Sequence, residues 1–170
     1  MRKLVVPAAA ALALMLGLAA AMPARAANAV ITYKSLAPDA ALMLAKAALD
    51  QCRKDGYQVA VVVLDRFGAP LVELRDRFAP VATLDIAKGK AWTAVTFTRS
   101  TAEFVQAMKD GSIGAGLAGL PKVTPLAGGL MIQSAGSLVG GVGVSGAPGG
   151  DKDEACAKAG LAAIQDQLEF

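Results

Sequence analysis

One stretch limits the fold more than any other. From Pro125 to Cys156 the chain reads PLAGGLMIQSAGSLVGGVGVSGAPGGDKDEAC, and it holds half of the chain's 18 glycines. Glycine loses more freedom on folding than any other residue. Such a concentration belongs where backbone approaches backbone closely or takes a positive φ. Leu130–Gln133 and Leu138–Ser145 are short apolar runs on either side of Ser134-Ala-Gly-Ser137, the pattern of a hairpin. Gly146-Ala-Pro-Gly-Gly150 follows, which suits neither a helix interior nor a central strand. Asp151 then reads as the cap of a closing helix from Lys152 to about Leu168, with Glu154 at capping-box spacing.

The first 26 residues have the form of a secretory signal. Arg2 and Lys3 precede an alanine-rich apolar run from Leu4 to Ala21, and Ala24-Arg25-Ala26 is a small-x-small cleavage pattern. The alternative, a membrane anchor, suits a longer and less alanine-rich run. The expected division is therefore a leader, 1–26, and one domain, 27–170, in the periplasm or secreted. Without Arg2, Lys3 and Arg25, the 17 basic residues fall to 14, equal to the acidic ones. No basic stripe is left to recommend nucleic acid or an anionic membrane as partner.

One absence and a pair narrow the chemistry. The chain has no histidine, which removes Ser-His-Asp and Cys-His catalysis, most zinc sites and histidine-ligated haem. Its two cysteines, Cys52 and Cys156, permit one disulfide in an oxidising compartment. They fall near the end of the first helix and the start of the last. If those helices pack antiparallel the sulfurs can meet, with Gly160 allowing close approach. The secretory leader favours this bridge over two buried free thiols.

Along the chain, Val30–Lys34 reads as a short strand, and Ser35 as the cap of a helix ending at Asp55-Gly56. Leu42, Ala45, Leu49 and Cys52 share that helix's buried face. Tyr57–Leu64 is a β-branched run suited to a central strand. Asp65–Ala69 is a turn with Gly68 at positive φ, and Pro70–Arg77 returns as a second strand. Pro80–Arg99 mixes helix and strand signals. Its alanine- and lysine-rich start decides for one long helix. Ser100 or Thr101 caps a further helix closed by Asp110-Gly111. Gly111–Thr124 is irregular.

Several motifs invite a sharper reading. Gly141-Val-Gly-Val-Ser-Gly146 is a literal GxGxxG. The helix it would need begins only after Pro148, so a dinucleotide site is rejected. Asp65 and Asp76 bracket the first hairpin as a conceivable carboxylate pair, though turn aspartates are ordinarily solvated. Asp85 and Lys88, an i, i+3 pair on a helix, are expected to make surface or helix–sheet polar contacts. Lys90, Trp92 and Arg99 are candidates to line a cleft. Thr124, Ser134, Ser137 and Ser145 have no visible base.

Four blocks, in this order, resemble the GlcG/HbpS-like haem-binding family and the C-terminal domain of PduO-type proteins. They are VVVLDRFGAPLV at 61–72, TLDIAKGKAWTAVTF at 83–97, PLAGGL at 125–130, and Val139–Ala162 with its VSGAPGGDKDEACAKAGLAA. The resemblance implies an α/β fold of the α+β type, with a mainly antiparallel five-stranded sheet and helices packed on it. It also implies homo-oligomers and, in several members, bound haem. No catalytic motif comes with it. The family-like positions offered as cofactor-binding are Lys90, Thr93, Pro125, Gly128, Gly129, Ser145 and Gly146. Without histidine, an iron ligand falls to Met43, Met108, Met131, Tyr57, a lysine or a threonine hydroxyl.

The expected function is thus a secreted, non-enzymatic binder of haem or another planar cofactor, used in sensing, storage or as an accessory. Two alternatives stay open. One is a small-molecule enzyme or accessory of glycolate- or diol-type metabolism; the other is a purely structural oligomer.

Overall fold

The expected central strand is the axis of the sheet. In the computed structural model, which describes residues 29–169, β1 (Ala60–Asp65) lies between β2 (Pro70–Arg75) and β4 (Ser137–Ser145), and β3 (Gly129–Ser134) pairs with β4 on its far side. All pairings are antiparallel. Val59 through Leu64 are completely buried because helices cover both sheet faces. On one face α1 (Pro38–Lys54) and α4 (Gly150–Ala162) pack over Val61, Val63, Val142 and Val144. On the other, α2 (Ala82–Phe97) packs over Ala60, Val62 and Leu64. The helix α3 (Thr101–Lys109), a short 3-10 turn at Ala115–Gly119, and α5 (Gln165–Leu168) complete the order. Residues from Tyr33 onward form one compact α+β unit. The leader expected at 1–26 lies outside the described residues.

The sheet has four strands, not five. Val30–Lys34 forms no ladder. The Lys34 carbonyl accepts from Arg66 Nη1 at 3.0 Å, and Leu36 N–H donates to Val139 O at 3.0 Å, so these polar groups are used without a strand. Tyr33 turns its ring edge-on to Phe67, 5.3 Å between centroids, with Arg66 over its face.

The turns follow the sequence closely. Gly68 has φ 81° and the Asp65 carboxylate accepts from the Phe67 and Ala69 amides, which closes the first hairpin. In the second, Ala135 (φ 46°) and Gly136 (φ 76°) are both left-handed, as a two-residue hairpin whose twist matches its strands requires. Ser100 and Glu103 form a full capping box at α3.

Four local expectations are corrected. The α1 cap is Ala37, with no side-chain bond, so Ser35 lies outside the helix. Leu42 is 37% exposed, because the buried stripe runs through Ala41, Leu44, Ala45, Ala48 and Cys52. The α4 cap is Gly149, and Asp151 makes no cap bond. Glu154 instead pairs with Lys158 one turn on, at 2.7 Å. Ala163 and Ile164 interrupt the last helix, so it does not run unbroken to Leu168.

Gly143 shows why the glycines sit in β4. A Cβ there would run into Ala87 O and lie 2.7 Å from the Ala91 amide, so α2 lies directly on the strand. The GxGxxG run is sheet backbone under a helix. On the opposite face Cys52 and Cys156 form the expected disulfide, with Cα atoms 5.5 Å apart. A Cβ on Gly160 would lie 2.8 Å from Leu44 O and 2.9 Å from the Ala48 Cβ. Contacts advancing along α4 while receding along α1 define the antiparallel packing that brings the sulfurs together.

Candidate functional site

Lys90 leaves α2 on the side facing the sheet and is 2% exposed. A buried ammonium is costly unless paired and hydrogen-bonded. Its Nζ donates to Asp153 Oδ2 at 2.7 Å and to Val144 O at 2.8 Å. The other Asp153 oxygen accepts from the Ala147 amide at 3.0 Å. One ion pair thereby ties α2 to the end of β4, the Gly146–Gly149 loop and the start of α4. Burial lowers the Lys90 pKa, against the raising influence of the Asp153 hydrogen bond and charge.

Beside this pair lies an open cleft of about 410 Å³, whose walls include Lys90, Ser145, Gly146, Leu126 and Asp153. Ser145 reaches it because residues alternate along β4. Val142 and Val144 face α1 and α4, while Gly141, Gly143 and Ser145 face α2. Gly128 (φ 115°) abuts the ion pair itself, where a Cβ would lie 3.0 Å from Lys90 Nζ and 2.7 Å from the Asp153 Cβ.

The other expected residues lie elsewhere. Gly129 sits behind Lys90, and its amide donates to Thr101 Oγ1 at 2.8 Å. Thr93 is fully buried and does not line the cleft; it donates to Gly89 O and accepts from the Thr124 amide, each at 2.8 Å. Pro125 lines a separate pocket of about 300 Å³ with Val105, Met108, Lys109 and Ala115. Lys90, Trp92 and Arg99 do not share a cleft. Residues two apart on a helix face opposite sides, and Trp92 lines a third pocket, of about 260 Å³, under the Gly68 turn. Asp65 and Asp76 are also apart. The first caps the hairpin turn, and the second accepts from Arg53 at the strand's other end, at 2.6 and 2.9 Å. Lys88 makes a helix–sheet polar contact of the kind expected, with Glu73 of β2 at 2.8 Å.

Asp153 was not singled out from the sequence. Its one signal is that a lysine on a helix face packed against a sheet needs a counter-charge. Asp151, Asp153 and Glu154 all offer one, and only the chain's path after Pro148 selects among them.

The candidate iron ligands are scattered. Met43 is 46% exposed and its sulfur accepts from Gln167 Nε2 at 3.4 Å. Tyr57 packs against the core. Met131 lines a pocket of about 350 Å³ with Glu103, Glu154 and Lys158. Met108 lines the Pro125 pocket. Among the described residues no three acidic or cysteine side chains are grouped to hold a metal ion. No helix among them is long and apolar enough to cross a membrane.

Fold and clefts together define an α+β protein whose antiparallel sheet is covered on both faces, with two open pockets along α2 and a third beside the Gly111–Pro125 loop. The chain belongs to the HbpS-like family, described as haem-degrading protein HbpS-like, which matches residues 36–162. An HbpS double mutant of Streptomyces reticuli is 38% identical with a TM-score of 0.76, over 86% of this chain and 98% of that one. A crystallised complex of PduOC with haem is 30% identical with a TM-score of 0.72, over 76% of this chain and 95% of that one. The corrinoid adenosyltransferase PduO of Salmonella typhimurium (strain LT2) is 32% identical over 126 residues, 71% of this chain. This chain spans 36% of that relative's length.

Proposed function

We propose that this protein binds haem, outside the cytoplasm and as a homo-oligomer, in a storage, sensing or accessory role. The observation that carries the reading is family membership over residues 36–162, together with the haem complex of a 30% identical structural neighbour. Of the pockets, the one at Pro125 suits haem best. Met108 supplies a thioether, a known axial ligand type. Val105, Ala115 and Pro125 supply apolar walls, and Lys109 a cation for a propionate. The Lys90 cleft suits iron less well, since the Lys90 amine is committed to Asp153 and Val144 O. At about 300 Å³ the Pro125 pocket holds only part of a macrocycle, so the remaining face is assigned to a second copy. Haem, when bound, supplies the redox-active iron; the protein's part is to hold and shield it.

Haemin titration of the purified protein, read in the Soret band with parallel light scattering, tests this. A saturable shift at micromolar haemin, weakened in Met108→Leu, is expected. No saturable shift discards the haem reading. Progressive loss of the Soret band under a reductant would move the assignment towards haem turnover, as the family's description has it. The relation to PduO supports a second reading, an accessory of diol-type metabolism, in which the Lys90–Ser145 cleft takes a small polar ligand.

A further inference from the structure

The Trp92 pocket is separate from the Lys90 cleft and the Pro125 pocket, and it is built rather than incidental. Asp85, Lys88, Gly89 and Trp92 form one stripe on α2, spaced three and four apart. The stripe faces the Gly68 turn on one side and the Lys122–Thr124 strand of loop on the other, around about 260 Å³. Both approaches depend on missing side chains. A Cβ on Gly68 would lie 3.0 Å from Trp92 Cδ1, and a Cβ on Gly89 would overlap the Thr124 hydroxyl.

Lys122 is the unusual member. It has φ 70°, a left-handed conformation costly for a long side chain such as lysine. Two residues on, the loop is anchored by the bond from the Thr124 amide to buried Thr93. Backbone strain of this kind persists only where surrounding structure imposes it, and it concentrates at ligand sites. Lys122 also enters none of the ion pairs among the described residues. Lys88, in contrast, is neutralised by Glu73.

We infer that this pocket binds a small planar ligand of one or two rings, carrying an anionic group at one end and a hydrogen-bond donor at the other. The ring lies against the Trp92 indole. Lys122 takes the anionic group and the Asp85 carboxylate accepts from the donor, with the Thr124 hydroxyl between them. An aromatic amino-carboxylate meets all of these demands.

Trp92 is the chain's single tryptophan, so the nitrogen-15 spectrum of the labelled protein holds one indole cross-peak, a reporter inside the site. The ligands to use are 4-aminobenzoate, benzoate, which lacks the donor, and aniline, which lacks the anion. The expected result is a saturable shift with 4-aminobenzoate and roughly tenfold weaker binding of each truncated ligand, as for loss of one charge-assisted hydrogen bond. Lys122→Asn keeps a residue that tolerates the left-handed conformation, and it should bring 4-aminobenzoate down to the level of aniline. Asp85→Asn should narrow its lead over benzoate. An unmoved indole peak at millimolar 4-aminobenzoate overturns the inference. So do equal shifts from all three ligands, or a Lys122→Asn variant that still prefers the carboxylate. Haemin binding, read separately in the Soret band, does not depend on any of these outcomes.

Discussion

Lys90 Nζ and Asp153 Oδ2 lie 2.7 Å apart, joining residues 63 positions distant, and both side chains are almost wholly buried (3% and 5% exposed). Removing one partner leaves the other's charge uncompensated in the interior. Lys90→Met is expected to cost about 3–5 kcal/mol. The double variant Lys90→Met with Asp153→Leu removes both charges. What it retains is the cost of an unpartnered Val144 O, about 1–3 kcal/mol, and a smaller one for the part-buried Ala147 N–H. Urea unfolding of the two variants decides the matter. A double variant less stable than the single one would contradict a mutually dependent pair.

The same pair sets a pH dependence. The Lys90 pKa is lowered from its ordinary 10.5, chiefly by burial. Between the lowered value and 10.5 the unfolded chain holds this proton and the folded chain has released it. The unfolded state binds more protons there, so stability rises with pH across that window. Below the lowered pKa both states bind the proton and the contribution is flat at its least favourable level. Melting temperatures of wild type and the double variant, followed from neutral to alkaline pH, should diverge in favour of wild type as pH climbs towards 10.5. Parallel curves would show that Lys90 does not titrate differently on folding.

The disulfide closes a span of 104 residues between α1 and α4. In the chain-entropy description a loop of that length contributes about 4–5 kcal/mol by restricting the unfolded state. Both cysteines are fully buried, so Cys52→Ala with Cys156→Ala replaces them without exposing a new polar group. That variant should lose a stability of this order while keeping the wild-type circular dichroism. A loss under about 1 kcal/mol would mean that the unfolded chain is already compact without the bridge.

Where a single residue's local chemistry decides, the sequence was a sound guide. Gly68 and Gly136 mark their turns, Ser100 with Glu103 caps α3, and the β-branched run before Asp65 is the buried central strand. Where the deciding partner is distant, it was not. Val30–Lys34 has strand-like residues, but Arg66 takes the Lys34 carbonyl and no ladder forms. Three acidic residues follow Pro148, and the chain's path there brings Asp153 to Lys90. Of the seven positions suggested by family resemblance, Lys90, Ser145 and Gly146 line one cleft, and Gly128 abuts the ion pair in its wall. Gly129 lies behind it, Thr93 anchors a loop and Pro125 opens on another pocket. A motif reports which residues accompany one another. It does not report which side of a helix each one takes.

Thr93 offers the sharpest test of how the loop pockets are held. Its hydroxyl gives its proton to Gly89 O and accepts the Thr124 amide, both at 2.8 Å, so one side chain joins the middle of α2 to the end of the Gly111–Pro125 loop. Thr93→Val keeps the volume and removes the hydroxyl, leaving the Thr124 N–H without its partner at a cost of about 1–3 kcal/mol. That loop carries Lys122 and Thr124 into the Trp92 pocket, and Ala115 and Pro125 into the Met108 pocket. Hydrogen exchange should therefore speed up at loop amides, with α1 amides slowed or hastened only as far as global stability dictates. Affinity for haemin and for 4-aminobenzoate should fall together. If loop and α1 amides change in proportion, Thr93 acts only through the core, and the loop owes its position to other contacts.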